Sequence, residues 1–117
     1  MDTDCLFCRI VKGEIPATVV HETATTLAFR DIEPKAPVHV LVVPKHHHRD
    51  VVELAAADPA VAADVLASAT AVAEAEGLLA GGFRLIFNTG EQVGQTVFHA
   101  HAHVLGGGPL GPMLTAL

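Results

Sequence analysis

The stretch TVFHAHAHVL (96–105) constrains this chain more than any other, because its side-chain character alternates with period two over the seven residues Phe98–Val104. Phe98, Ala100, Ala102 and Val104 share one parity; His99, His101 and His103 share the other. Successive side chains of a strand point to opposite faces. The segment therefore reads as a strand with one packed apolar face and one face of imidazoles. Three of the eight histidines sit on that face, and the small alanines between them leave the rings uncrowded. The imidazole face must meet a cleft or another layer.

The remaining elements surround such a strand. Residues 4–16, DCLFCRIVKGEIP, space Leu6, Phe7, Ile10 and Val11 as a short helix, with Asp4 as its cap and Gly13 and Pro16 as its end. TVVHET (18–23) and TLAFRDI (26–32) read as two strands about a turn, the second placing Leu27 and Phe29 on one face. VHVLVVP (38–44) is a buried strand stopped by Pro44, and KHHHRD (45–50) is polar and turn-like, with His46 and His48 as solvated neighbours of His47. Residues 58–79 are the clearest element. Asp58 caps, Pro59 opens the first turn, Val61, Val65, Ala69 and Val72 form one stripe, and Gly81-Gly82 end the helix. FRLIFN (83–88) is a fourth strand and TGEQVGQ (89–95) a glycine-bearing loop. Short-linked strands with one long helix and a short N-terminal helix predict an α+β fold over a five-stranded antiparallel sheet, with residues 1–117 as a single domain.

Charge narrows the partners. A net charge of −6 argues against nucleic-acid polymers, which require a basic face, yet leaves a single nucleotide in a pocket open. The acidic start MDTDCLFCRI carries no apolar run of the signal-peptide kind, and nothing approaches a membrane span, so a cytoplasmic location is expected. Cys5 and Cys8 then read as thiols or metal ligands rather than a disulfide.

Strand geometry divides the three histidines. At ~3.4 Å per residue, His99 and His103 lie ~13 Å apart, whereas one metal ion needs its nitrogens at ~2.1 Å. At least one ring is free for other chemistry, and His101 has a neighbour on each side to orient it. A neutral imidazole is a good nucleophile toward phosphorus. The preceding loop offers Gly90 and Gly94 for close backbone approach, and Gln95 and Thr96 as hydrogen-bond donors. Such a turn suits an anion.

Three blocks in order, CLFCRIVKGEIPA, LAFRDIEPKAPVHVLVVPKHH and VGQTVFHAHAHVLGG, resemble the histidine triad (HIT) family over nearly the whole chain, and the tail GGGPLGPM resembles its Hint-like branch. The resemblance implies a homodimer whose sheets join, acting on purine nucleoside phosphoramidates or aminoacyl adenylates through a covalent nucleotidyl-histidine. It places the nucleophile at His101, a phosphate contact at His103 and a leaving-group donor at Thr96, where relatives often carry serine. Asp31 matches a ribose-binding carboxylate with Ile32 beside it. Asn88 and the backbone of Gly94, Gln95 and Thr96 match phosphate and sugar contacts, and His39 matches a histidine supporting the triad. Phe7, Ile10, Phe29 and Leu41, with Leu6, match the walls of the base pocket. Cys5, Cys8, His47 and His99 match a structural zinc set found in members with CxxC. Three departures bear on the leaving group: Arg30 replaces a histidine, Gly108 replaces an arginine, and the chain has no tryptophan.

Three functions fit these residues: a phosphoramidase, a dinucleoside polyphosphate hydrolase, and a zinc-stabilised nucleotide-binding or scaffold protein. The nucleotidyltransferase branch, which carries glutamine at the third triad position, is excluded by His103.

Overall fold

The computed structural model describes residues 5–114. A short helix, α1 (Leu6–Val11), precedes a hairpin of β1 (Val19–Glu22) and β2 (Thr26–Arg30). Then come β3 (Val38–Pro44), two consecutive helices α2 (Val51–Ala57) and α3 (Pro59–Ala75), β4 (Phe83–Phe87) and β5 (Ala102–Gly106). The strands form one sheet in the order β1-β2-β3-β5-β4, and every neighbouring pair is antiparallel. The expected α+β architecture is present.

Period-two alternation sorts the sheet into two faces. Ala28, Val40, Val42, Ala102 and Val104 face α3 and pack with its Val65, Ala69, Val72 and Ala73 and with Leu54 of α2. The alanines allow α3 to lie close on the strands, and all of these residues are almost fully buried. The ladder register places Phe29, Leu41, His103 and Ile86 in one row across four strands on the opposite face. There α1 covers part of the sheet, setting Phe7 against Leu27, Phe29, Leu41 and Val43. A six-residue helix is too short to persist alone, so α1 depends on what anchors it.

Four expectations need correction. The cap proposed at Asp4 lies outside the described residues, and Cys5 holds the N-cap position, its Sγ accepting from the Cys8 N–H at 3.3 Å. The helix α2 went unread: Asp50 caps it through the Glu53 N–H at 2.9 Å. Asp58 then ends α2 and caps α3. The long helix stops at Ala75 rather than at Gly81-Gly82, because Gly77, at φ +75°, turns the chain out in the left-handed conformation. Finally, β5 is shorter than the alternating segment. Residues 96–101 lie outside the ladder, which pairs only 102–106, and the chain bends at Val97 and His99.

The candidate active site

The alternation survives where the ladder does not. Ala100 and Ala102 stay on the helix side of the sheet, while His99, His101 and His103 gather on the α1 side. The segment is pinned by the Ala100 N–H donating to the His48 carbonyl at 2.7 Å. The Phe7 ring meets the His101 ring edge-on at 5.0 Å and the Phe29 ring at 5.4 Å, so the short helix contacts the central imidazole directly.

Hydrogen bonds fix the protons on all three rings. His99 donates Nε2–H to the Pro44 carbonyl at 2.8 Å, leaving its Nδ1 as a lone pair. His101 donates Nδ1–H to the His99 carbonyl at 2.7 Å, so its Nε2 carries the lone pair. His39 accepts from the Lys35 N–H at Nδ1 (3.0 Å), which puts its proton on Nε2. That Nε2–H donates to His103 Nδ1 at 2.9 Å, and His103 is left with a donor at Nε2. One nucleophilic nitrogen and one N–H donor therefore stand on adjacent rings, with centroids 5.0 Å apart.

Burial keeps these rings neutral. Desolvation pushes the pKa of His101 down, only partly opposed by its bond to the His99 carbonyl and by the Asp31 charge. His103 is pushed down to about 4, chiefly by desolvation and further by its neighbours His101 and His39. Desolvation lowers His39 as well, against the pull of Asp31. The folded state resists protonating His103, so between its pKa near 4 and the ordinary value of about 6.5 the unfolded chain binds more protons. Stability should be complete above about pH 6.5 and decline as the pH falls toward 4. Thermal melts of wild type and His103→Gln from pH 7.5 to 4.5 would check this: the variant should show the shallower slope, and parallel slopes would remove His103 as the cause.

The imidazoles open onto a cleft of about 590 Å³ between α1 and the sheet, a size suited to a small-molecule ligand. Leu6, Phe7, Ile10, Phe29 and Leu41 form apolar walls, and Asp31, Ile32, Asn88, Thr96, His39, His101 and His103 also line it. Asp31 is held by its own loop, Oδ1 accepting from the Glu33 N–H at 2.8 Å, with Oδ2 3.4 Å from His39 Nε2. Ile32 is 94% exposed at the rim. Gly94, at φ +97°, and Gln95 stand behind the lining rather than in it. The buried Gln95 amide braces the loop, Oε1 accepting from the Gly90 N–H at 2.8 Å and Nε2 donating to the Arg49 and Val97 carbonyls at 2.9 and 3.2 Å. Its side-chain donors are thus engaged internally, and so are the loop's backbone donors: the Gln95 N–H bonds the Gly90 carbonyl at 3.1 Å and the Gly94 N–H the Glu91 carbonyl at 3.2 Å.

A second cluster lies behind the cleft. The donor atoms of Cys5, Cys8, His47 and His99 all fall within 4.8 Å of one another. Cys5 Sγ is 3.3 Å and Cys8 Sγ 3.4 Å from His99 Nδ1; Cys8 Sγ and His99 Nδ1 are each 3.3 Å from His47 Nδ1. A tetrahedral ion with arms of ~2.1 Å to nitrogen and ~2.3 Å to sulfur needs donor separations of about 3.4–3.8 Å. Two thiols and imidazole lone pairs at this spacing can hold a metal ion. Asp31, His39 and His103 also approach one another within 4.8 Å, but His39 bears its proton on the nitrogen that a metal would need. Only the first group has the chemistry of a metal centre.

Sequence reading missed several partners. His48, expected in solvent, is 7% exposed because its carbonyl ties it to the segment bearing the triad; His46 is exposed as expected. The carbonyls of Pro44 and His99 and the N–H of Lys35 set the tautomers, and backbone groups leave no mark in residue type.

A neutral imidazole lone pair beside an imidazole N–H donor, over a cleft of small-molecule size in an α+β domain, has the make-up of a hydrolytic site. Comparison with known proteins agrees. The HIT domain model matches residues 12–110. The purine nucleoside phosphoramidase of Escherichia coli K12 is 40% identical over 97% of this chain and 96% of its own length. A HIT family hydrolase from Clostridium thermocellum superposes with a TM-score of 0.91 at 43% identity, covering 97% of this chain and 98% of that one. The histidine triad nucleotide-binding protein of Candida albicans superposes with a TM-score of 0.81 at 31% identity, over 97% and 86%. The chain belongs to the HIT family of hydrolases. No helix among the described residues is long and apolar enough to cross a membrane.

Proposed function

We propose that the chain hydrolyses the P–N bond of purine nucleoside 5′-phosphoramidates, or the corresponding bond of aminoacyl adenylates, and releases the nucleoside monophosphate. The observation that carries this reading is the His101 Nδ1–H bond to the His99 carbonyl, which aims a neutral Nε2 lone pair into the cleft beside the donor of His103. His101 Nε2 attacks phosphorus and the P–N bond breaks. The amine leaves with a proton drawn from solvent water through the Thr96 hydroxyl, and a proton is released again when water adds to phosphorus in the second step. Water then attacks the nucleotidyl-histidine, restoring the imidazole. His103, oriented by His39, donates to a phosphate oxygen, with Asn88 and Thr96 as further contacts; Gly94 and Gln95 shape the loop behind them through their own internal hydrogen bonds. Leu6, Phe7, Ile10, Phe29, Leu41 and Ile32 hold the base. The name of the E. coli relative supports the substrate class. Incubation with an adenosine phosphoramidate and with diadenosine polyphosphates tests the reading: AMP should appear from the first far faster than from the second, and the reverse order would favour a dinucleoside polyphosphate hydrolase.

Asp31 reads the ribose. Its carboxylate lines the cleft with acceptor capacity remaining beyond the Glu33 bond. Losing one hydroxyl partner there costs about 1–3 kcal/mol. By calorimetry, 2′-deoxy-AMP should bind roughly 5–150-fold more weakly than AMP, and Asp31→Ala should erase the difference. Equal affinities in the wild type would remove Asp31 from ligand binding.

The metal at Cys5, Cys8, His47 and His99 is zinc, in a structural role, because four protein donors leave no position for water. A cytoplasmic setting accords with reduced thiols. The open backbone edge of β4 suits pairing with a second copy of the chain, giving a homodimer.

A further inference from the structure

A second cleft, of about 440 Å³, lies on the far side of Thr96. It shares Leu6, Thr96 and Val97 with the main cleft, so the two meet along that wall. Phe98 and Arg49 close it, with Cys5 and His47 of the metal cluster at its base. In the proposed reaction Thr96 stands at the departing nitrogen, so this second cleft lies where the leaving group must go.

Arg49 differs from the other arginines. The side chain of Arg9 faces Glu14, that of Arg30 faces Glu76, and that of Arg84 donates to the Gly111 carbonyl. Among the described residues no carboxylate lies within ion-pair distance of the Arg49 guanidinium, which instead lies 4.5 Å above the centre of the Phe98 ring. Its backbone is fixed too: the carbonyl accepts from Gln95 Nε2 at 2.9 Å, and the N–H donates to Glu53 Oε1 at 2.9 Å. A cation is therefore held in place beside the loop that carries Thr96, in a chain whose net charge is −6. Stacking on a ring leaves the guanidinium edge able to bind a planar anion by two parallel N–H donors.

We propose that this cleft is a leaving-group site for amines that carry a free carboxylate, with Arg49 as the residue that recognises it. The inference rests on the phosphoramidase reading and names its substrates: nucleoside phosphoramidates in which phosphorus is joined to the α-nitrogen of an amino acid. A single cation matches one carboxylate. Leu6, Val97 and Phe98 provide apolar surface for the amino-acid side chain. A polyphosphate leaving group would bring several charges to the same lone cation.

The test compares two adenosine phosphoramidates, one made with leucine and one with leucinamide, which differ in that charge alone. The wild type should favour the leucine compound in kcat/KM by about fivefold, as expected for one partly exposed ion pair, and 1 M salt should erase the preference. In Arg49→Gln, which keeps the backbone carbonyl bound to Gln95, the ratio should fall to about one; Arg49→Lys should restore part of it. A ratio at or below one in the wild type, or an unchanged ratio in Arg49→Gln, overturns the proposal. So does an Arg49→Gln defect confined to diadenosine polyphosphates, which would assign Arg49 to phosphate. Absence of turnover on both compounds would instead strike the phosphoramidase reading itself, and this proposal would fall with it.

Discussion

His101→Ala should lose at least about 10⁴-fold in phosphoramidate hydrolysis while still binding AMP. Removing a general acid or base typically costs ~10²–10⁴-fold. Removing the nucleophile costs more, because no covalent intermediate can form. His101 is one of many residues lining the cleft, so affinity for the product should survive: in the proposed reading the base rests on Phe7, Ile10, Phe29 and Leu41, and His103 donates to the phosphate. Single-turnover kinetics with parallel AMP titration would measure both. A variant that retained turnover within tenfold of wild type would overturn the covalent mechanism, and one that lost AMP affinity with activity would assign His101 to binding.

Cys8→Ser should bind less than one zinc per chain and melt on the order of 10–20 °C lower. Cys8 is buried, and its Sγ lies 3.3–3.4 Å from both histidine donors, so no other side chain can take its place. A structural zinc site contributes folding free energy directly, and a loss of about 3 kcal/mol shifts the melting point of a domain of this size by roughly that range. The effect on function should be graded. Helix α1 carries Leu6, Phe7 and Ile10 into the cleft and Cys5 and Cys8 into the cluster, so loss of metal should weaken nucleotide binding before it alters the chemical step. Elemental analysis of protein purified without chelator or nickel resin, with calorimetric melts, is the measurement. Wild-type protein free of zinc with both thiols titratable would end the metal reading.

Much of this was legible in residue type. The alternation of His99, His101 and His103 against alanines marked the two faces, and it holds just past the end of the ladder, where Ala100 still packs with the helix-side core and His99 and His101 lie against Phe7. That is also why β5 read too long: nothing in the letters distinguishes paired from unpaired extension. The stripe of Val65, Ala69 and Val72 gave α3, but its end was placed at the conspicuous Gly81-Gly82 because Gly77 is a single residue in a helical context. The helix α2 was invisible for two reasons. It is short, and Asp58 serves both as its end and as the start of α3, so the boundary looked like a lone beginning. His48 and Gln95 show the other limit. Polar residues beside functional ones look like site residues or solvent, and only the fold shows that one is buried under the triad segment while the other cross-braces a loop.

His99 performs two tasks with two separate parts. Its ring faces the thiols, and its carbonyl holds the Nδ1 proton of His101. The first task belongs to the side chain and the second to the peptide unit, which every amino acid shares. The two can therefore part company over evolutionary time. A lineage that gave up the thiols could replace this histidine with a residue of similar size whose side chain still donates to the buried Pro44 carbonyl, and keep His101 oriented as before, whereas the proposed reaction allows no such exchange at position 101.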